Sequence, residues 1–270
     1  MKRSTSLLIT ALLWLCFLAA AVFLIARPEQ GWRETDGHIQ YLNASGRPMT
    51  GWQKIDGKTW FFGYDGDLRT GWREYEGSWY YLGEDGAMQT GWVDYNGSRW
   101  YFDAEGRMLS GWQEIDGARY YLQGDNGLKR NWLLLDGSWY YLGNDGRMRT
   151  GWVNIDGKRY YFSEDGRMLS GWQDVDGGRY YFGADGAMHL RWLWQDGRWY
   201  FFDDTGMMKT GWAYDEGSWY YLDENGVMQT GWLELGGARY YLDEHGVMLT
   251  GRQTIEGEEY LFDEHGALTE

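Results

Sequence analysis

Through most of the chain, apolar and polar residues alternate in short runs, and the alternation restarts at a fixed spacing, once in every twenty positions. Residues 151–170 show the unit: Gly-Trp-Val-Asn-Ile, then Asp-Gly, then Lys-Arg-Tyr-Tyr-Phe, then a closing stretch with a second glycine, Gly166. Two five-residue runs rich in aromatic and β-branched side chains, split by Asp-Gly, predict a β-hairpin closed by a type I′ turn. The seventh position is glycine in all twelve units, from Gly37 to Gly257. A two-residue turn fixes the register, so position 5 pairs with 8, 4 with 9, 3 with 10 and 2 with 11. Strand side chains alternate faces. Trp152, Asn154, Arg159 and Tyr161 therefore share one face, and Val153, Ile155, Tyr160 and Phe162 the other. The second face is the more apolar and is expected to be buried between hairpins. In the fifth unit the second turn slips by one position, to Asn126-Gly127.

A tryptophan marks the second position of eleven units, from Trp32 to Trp232, so residues 31–270 read as twelve 20-residue repeats. A lone hairpin is marginal in water, and stability must come from stacking neighbours. The expected fold class is all-β, a β-hairpin solenoid. A longer period of three units is also present: Ser78-Trp79-Tyr80-Tyr81-Leu82-Gly83 returns as Ser138-Trp139-Tyr140-Tyr141-Leu142-Gly143. Three hairpins per superhelical turn would produce it and would bring Trp79, Trp139 and Trp199 to one side. The end units are atypical and polar, with Gln40 and Pro48 in the first and Arg252 and Glu259 in the last, which suits caps.

Residues 1–30 follow another pattern. Lys2 and Arg3 precede an apolar run, Leu7 to Ala26, of bilayer-spanning length. Residues 1–26 are expected to be a signal peptide or an uncleaved signal-anchor transmembrane helix, followed by a short linker at 27–30. The flanking positive charge would leave the repeats outside the cytoplasm, membrane-anchored or secreted and wall-associated.

The ninth position of the unit carries the chemistry. It is Trp in four units (Trp79, Trp139, Trp199, Trp219) and Arg in five (Arg99, Arg119, Arg159, Arg179, Arg239). Across the hairpin, the Arg units have Asp94, Glu114, Asn154, Asp174 and Glu234, whereas the Trp units have Glu74, Leu134, Trp194 and Tyr214. Arg thus tends to face an acid and Trp an apolar or aromatic group, as cross-strand neighbours do. Charge-paired units and aromatic units are expected.

Composition narrows the function. With 19 Trp and 22 Tyr the chain is no disordered polymer. Its net charge is -15, and since Lys2, Arg3 and Arg27 against Glu29 leave +2 in the segment 1–30, the repeats carry -17. Aromatic surfaces that bind single-stranded nucleic acid need a basic groove, so an acidic body argues against that partner and suits cationic or neutral ligands. The single cysteine, Cys16, lies in the apolar N-terminal run, so the repeats have no disulfide or thiolate metal site. His38, His189, His245 and His265 are scattered, Asp65-Gly66-Asp67 is too short for a calcium loop, and no carboxylate pair stands out. A non-catalytic protein with no metal and no cofactor is expected.

The string Gly-Trp-x-x-x-Asp-Gly-x-Trp-Tyr-Tyr-Leu-x-x-x-Gly-x-Met, seen at 131–148 with Asn131 for the first glycine, resembles the cell-wall/choline-binding repeat of Gram-positive surface proteins. The Arg units are similar to the related repeats of glucan-binding glucosyltransferases and clostridial toxins, which bind carbohydrate. The resemblance covers residues 31–270 and implies a left-handed solenoid with three hairpins per turn. It also implies a ligand, choline or phosphocholine on teichoic or lipoteichoic acid, boxed between consecutive hairpins by aromatic rings and a methionine. Carried onto this sequence, the boxes are Trp72 and Trp79 with Tyr101, Trp132 and Trp139 with Tyr161, Trp192 and Trp199 with Tyr221, and Trp212 and Trp219 with Tyr241, lined by Met108, Met168, Met228 and Met248. Units with Arg in place of Trp would set cation against cation and should not bind choline. Two other readings stand beside this one: a glucan- or host-glycan-binding module, and a structural or adhesive spacer.

Overall fold

A computed structural model describes residues 29–269. The expectation for residues 1–26 falls outside them, and among the described residues no helix is long and apolar enough to cross a membrane. Twelve two-stranded sheets are formed, each from two consecutive strands. The first pairs Gly31–Thr35 with His38–Leu42, the pattern returns once in every unit, and the last pairs Gly251–Ile255 with Glu258–Phe262. The chain divides into two compact units, one running to Gln113 and including Tyr121–Leu128, the other comprising Glu114–Tyr120 and the residues from Lys129 onward.

The register is the predicted one. In the hairpin 131–142, Trp132 lies opposite Tyr141, Leu134 opposite Trp139 and Leu135 opposite Ser138. Both central turn residues take positive φ, for example Asp156 at 49° and Gly157 at 79°, which is the type I′ geometry. Glu76, Glu216 and Glu256 hold the first turn position at 48°, 46° and 53°. Side chains of that kind disfavour this region, so the hairpin strands, not these residues, enforce the turn there.

The loop after each hairpin is closed by its own backbone bonds. Gly166 N–H donates to Ser163 C=O at 2.9 Å and Ser163 N–H to Arg167 C=O at 2.9 Å. The loop also reaches back to the preceding hairpin: Met168 N–H donates to Trp139 C=O at 2.8 Å, and Met228 N–H to Trp199 C=O at 2.9 Å. Gly166 is needed there twice over. Its φ is 85°, and a Cβ would fall on the sulfur of Met148 from the preceding unit. In the fifth unit the slip seen in the sequence becomes a short 3₁₀ turn, Gly124–Asn126, with Gly127 against the backbone of Arg99.

The core lies between hairpins rather than within them. Phe162 is fully buried with Ile155 and Tyr160, and Trp132, Tyr141 and Met168 pack against this group. One unit on, Val175, Tyr180 and Phe182 form the same cluster against Trp152, Tyr161 and Met188. The apolar face of each hairpin thus covers the tryptophan-bearing face of the hairpin before it. Truncating a fully buried phenylalanine at such a junction removes its transfer energy and leaves a cavity. Phe162→Ala should therefore cost about 3–5 kcal/mol, read as a lowered urea midpoint, whereas Lys158→Ala, which removes only an exposed ion pair with Asp185, should cost no more than about 1 kcal/mol.

Candidate functional site

Four concave sites recur wherever Trp occupies the ninth position. The site on hairpin 131–142 is a cavity of about 350 Å³ lined by Trp132, Trp139, Tyr160, Met168 and Asp185. Trp72, Trp79, Tyr95, Asn96, Trp100, Met108 and Asp125 line a second of about 330 Å³. Trp192, Trp199, Tyr220, Met228, Glu244 and His245 line a third of about 320 Å³. The fourth, about 240 Å³, has Trp212, Trp219, Tyr240, Met248, Glu264 and His265.

Each is assembled from three consecutive units. The first hairpin gives two tryptophans at right angles: Trp132 and Trp139 have centroids 6.0 Å apart at 87°, and Trp192 and Trp199 6.4 Å apart at 90°. The next hairpin supplies the third ring. Tyr160 meets Trp132 at 5.1 Å, Tyr220 meets Trp192 at 4.7 Å, Tyr240 meets Trp212 at 5.0 Å and Trp100 meets Trp72 at 5.2 Å. The same unit places its methionine over the ninth-position tryptophan through the backbone bond described above, which also joins Met108 to Trp79 at 2.7 Å and Met248 to Trp219 at 2.8 Å. The loop of the third unit adds an acidic side chain at the rim.

The two tryptophans and the methionine of each site are those read from the sequence, but the third wall is shifted by one position. Tyr101, Tyr161, Tyr221 and Tyr241 do not line these cavities. Each packs against the second-position tryptophan of its own hairpin, at 4.9 Å for Trp92–Tyr101, 5.0 Å for Trp152–Tyr161, 5.2 Å for Trp212–Tyr221 and 5.1 Å for Trp232–Tyr241. The cause is the pleat. Position 11 shares a face with position 2 of its own hairpin, whereas position 10, like position 12, points back at the preceding one. The strand alternation therefore held the signal for Trp100, Tyr160, Tyr220 and Tyr240. The rim residues Asp125, Asp185, Glu244 and Glu264 lie in the loops that follow the hairpins, where no carboxylate stands out in the sequence.

The rims differ in charge. Asp185 accepts a 2.9 Å hydrogen bond from Lys158 Nζ and a 3.0 Å bond from the Ala187 N–H. Lys158 first, then the backbone donor, holds the Asp185 carboxyl below its ordinary value, so the carboxylate stays ionised and paired with the ammonium. In the third and fourth sites Glu244 lies 3.7 Å from His245, and Glu264 3.7 Å from His265, all largely exposed.

The Arg units show the opposite arrangement at the equivalent place. The guanidinium of Arg159 sits over Trp152 at 4.1 Å, Arg239 over Trp232 at 4.3 Å, Arg99 over Trp92 at 4.8 Å and Arg179 over Trp172 at 5.1 Å. Cross-strand carboxylates hold three of these cations from the other side: Asp94 lies 3.3 Å from Arg99, Glu234 3.6 Å from Arg239 and Asp174 3.9 Å from Arg179. Each of these four tryptophan faces already carries a cation from its own hairpin.

The sequence profile of the choline-binding repeat matches seven overlapping stretches, 49–90, 89–132, 129–170, 149–191, 169–209, 191–230 and 209–252. The chain belongs to the choline-binding repeat family. Its fold is similar to that of CbpJ from Streptococcus pneumoniae TIGR4 (TM-score 0.64, 27% identity, 88% of this chain and 100% of that one). It is also similar to choline-binding protein F from Streptococcus pneumoniae, solved in the presence of a peptidoglycan analogue (TM-score 0.62, 29% identity, 89% and 98%). The modular autolysin LytC of the same organism shares the fold at 24% identity and a TM-score of 0.54, over 82% of this chain and 53% of that one. No curated protein sequence matches the chain.

One wall of the third cavity, Trp192, is held by a buried carboxylate. Asp215 accepts from Trp192 Nε1 at 2.9 Å and from Arg191 Nη1 at 2.8 Å. Asp215→Ala would strand the indole N–H. A stability loss of about 1–3 kcal/mol is expected in chemical denaturation, with Asp204→Ala, whose carboxylate is exposed 3.6 Å from Arg191, near zero.

Proposed function

We propose that this chain is a non-catalytic surface protein that binds choline-decorated cell-wall polymers such as teichoic acids. Choline or phosphocholine would enter the four cavities built on Trp72/Trp79, Trp132/Trp139, Trp192/Trp199 and Trp212/Trp219. The observation that carries the reading is the composition of those cavities. Each has at least three aromatic side chains, a methionine and a carboxylate converging on a space that is open to solvent. A quaternary ammonium has no N–H to donate, so it gains nothing from hydrogen-bond acceptors alone. It is attracted by the negative faces of the rings, about 0.5–2 kcal/mol for each well-placed contact, while the carboxylate adds long-range attraction. The Arg units support the same reading from the other side, because there a protein cation already covers the tryptophan.

The rest of the reading follows from the family and the sequence. Within each compact unit the hairpins wind as a left-handed solenoid, and residues 1–26 carry the repeats out of the cytoplasm. Millimolar binding at one site corresponds to about -4 kcal/mol, so retention on a polymer depends on several sites acting together.

The test is thermal melting against choline chloride, with sodium chloride as the ionic control. A ligand bound only by the folded state raises the melting temperature by mass action, so a choline-specific rise at millimolar concentration is expected. On a choline-bearing matrix, Trp139→Ala should elute at lower choline than the parent, and Arg159→Ala should elute with it. Equal melting in both salts would reject the reading.

A further inference from the structure

The third and fourth cavities carry a feature the first two lack. Outside the cavity of hairpin 191–202, Trp194 lies opposite Trp199 in register, with ring centroids 5.2 Å apart at 53°. Outside that of hairpin 211–222, Tyr214 lies opposite Trp219 with the same separation at 52°. Trp194 is 55% exposed and Tyr214 58%. Each ninth-position tryptophan is therefore shared: its cavity side meets Trp192 or Trp212, and its outer side meets a second open ring. At the corresponding place the other two hairpins have Leu134 and Glu74, neither of which offers a ring. Large exposed aromatics add little to the core, and their clustering beside a cavity marks a contact surface.

We infer that Trp194 and Tyr214 are sugar-stacking pads, so that these two sites take a saccharide bearing phosphocholine rather than choline alone. The inference rests on the choline reading of the cavities. Three observations identify the occupant. The pad is continuous with the cavity through Trp199 or Trp219, so one ligand can touch both. An open, flat aromatic face suits the C–H face of a pyranose, which is weakly positive where the ring is negative. The cavities beneath the pads are also the two whose rims carry an exposed carboxylate–imidazole pair, Glu244 with His245 and Glu264 with His265. Such side chains accept from and donate to sugar hydroxyls, and an imidazole N–H can donate to the linking phosphate. At the first cavity the rim carboxylate of Asp185 is instead engaged by Lys158.

The experiment uses the full chain with Trp79→Ala and Trp139→Ala introduced to silence the first two cavities. Trp194→Leu and Tyr214→Leu are then added; leucine is what hairpin 131–142 carries there, so apolar support for the cavity is kept. Calorimetry compares choline chloride, phosphocholine and a phosphocholine ester of a simple hexose. The pads predict unchanged affinity for the first two ligands and an affinity for the ester lower by about three- to tenfold, the fold-change of one aromatic contact. Equal loss for all three ligands, or no loss for any, overturns the inference. So does a shift of sedimentation from dimer to monomer with ester binding intact, which would make the pads a self-association surface. Absence of choline binding in the parent chain would instead reject the cavity reading beneath it.

Discussion

Everything in this molecule depends on one contact, the apolar face of a hairpin laid over the tryptophan face of the hairpin before it. A two-stranded ribbon has two faces and no interior, so neither face is stable in water unless a neighbour covers it. The contact has two parts. Rings interlock, as where Tyr160 and Phe162 meet Trp132 at 5.1 and 5.9 Å. A backbone bond, such as Met168 N–H to Trp139 C=O at 2.8 Å, then sets the spacing between one hairpin and the next loop. The glycine turns follow from this. The first, at Asp156-Gly157, gives the ribbon its twist, and the second, at Gly166, leaves room for the methionine of the preceding unit.

The cavities are a by-product of the same contact. Stacking covers most of the tryptophan face but stops short of position 9, leaving Trp139 42% exposed. What remains is a corner walled by rings that are already fixed by packing. The site is therefore organised before any ligand arrives, and binding need not meet the cost of ordering its walls. The same design spreads each site over three units, so a cavity exists only where consecutive repeats are folded together.

Much of this was legible in the sequence. Asp-Gly between two five-residue runs fixed turn, register and faces, and the exchange of Trp for Arg at one position marked which units would be open. The third ring of each cavity comes from position 10 and not from the position 11 that the resemblance implies, because Tyr161 and Tyr160 are neighbours in sequence but point in opposite directions. The rim acids were hidden for a different reason. Asp185 serves a local turn through the Ala187 N–H, and its second role depends on a hairpin two units earlier. No local pattern carries that distance, although the repeat allows it to be counted once the stacking direction is known.

The exchange at position 9 also shows how one substitution can govern a site. Arginine there does two things: its guanidinium lies over the second-position tryptophan, at 4.1 Å for Arg159 on Trp152, and it draws a carboxylate across the strand in most such units. An internal cation needs no encounter and loses little freedom on binding, so an external one competes poorly for the same face. Tryptophan reverses both effects, because it removes the internal cation and turns the bare face into the corner of a cavity. The contacts of Arg99, Arg159, Arg179 and Arg239 with their tryptophans thus place cations on these ring faces, and the four Trp–Trp corners leave the equivalent faces open.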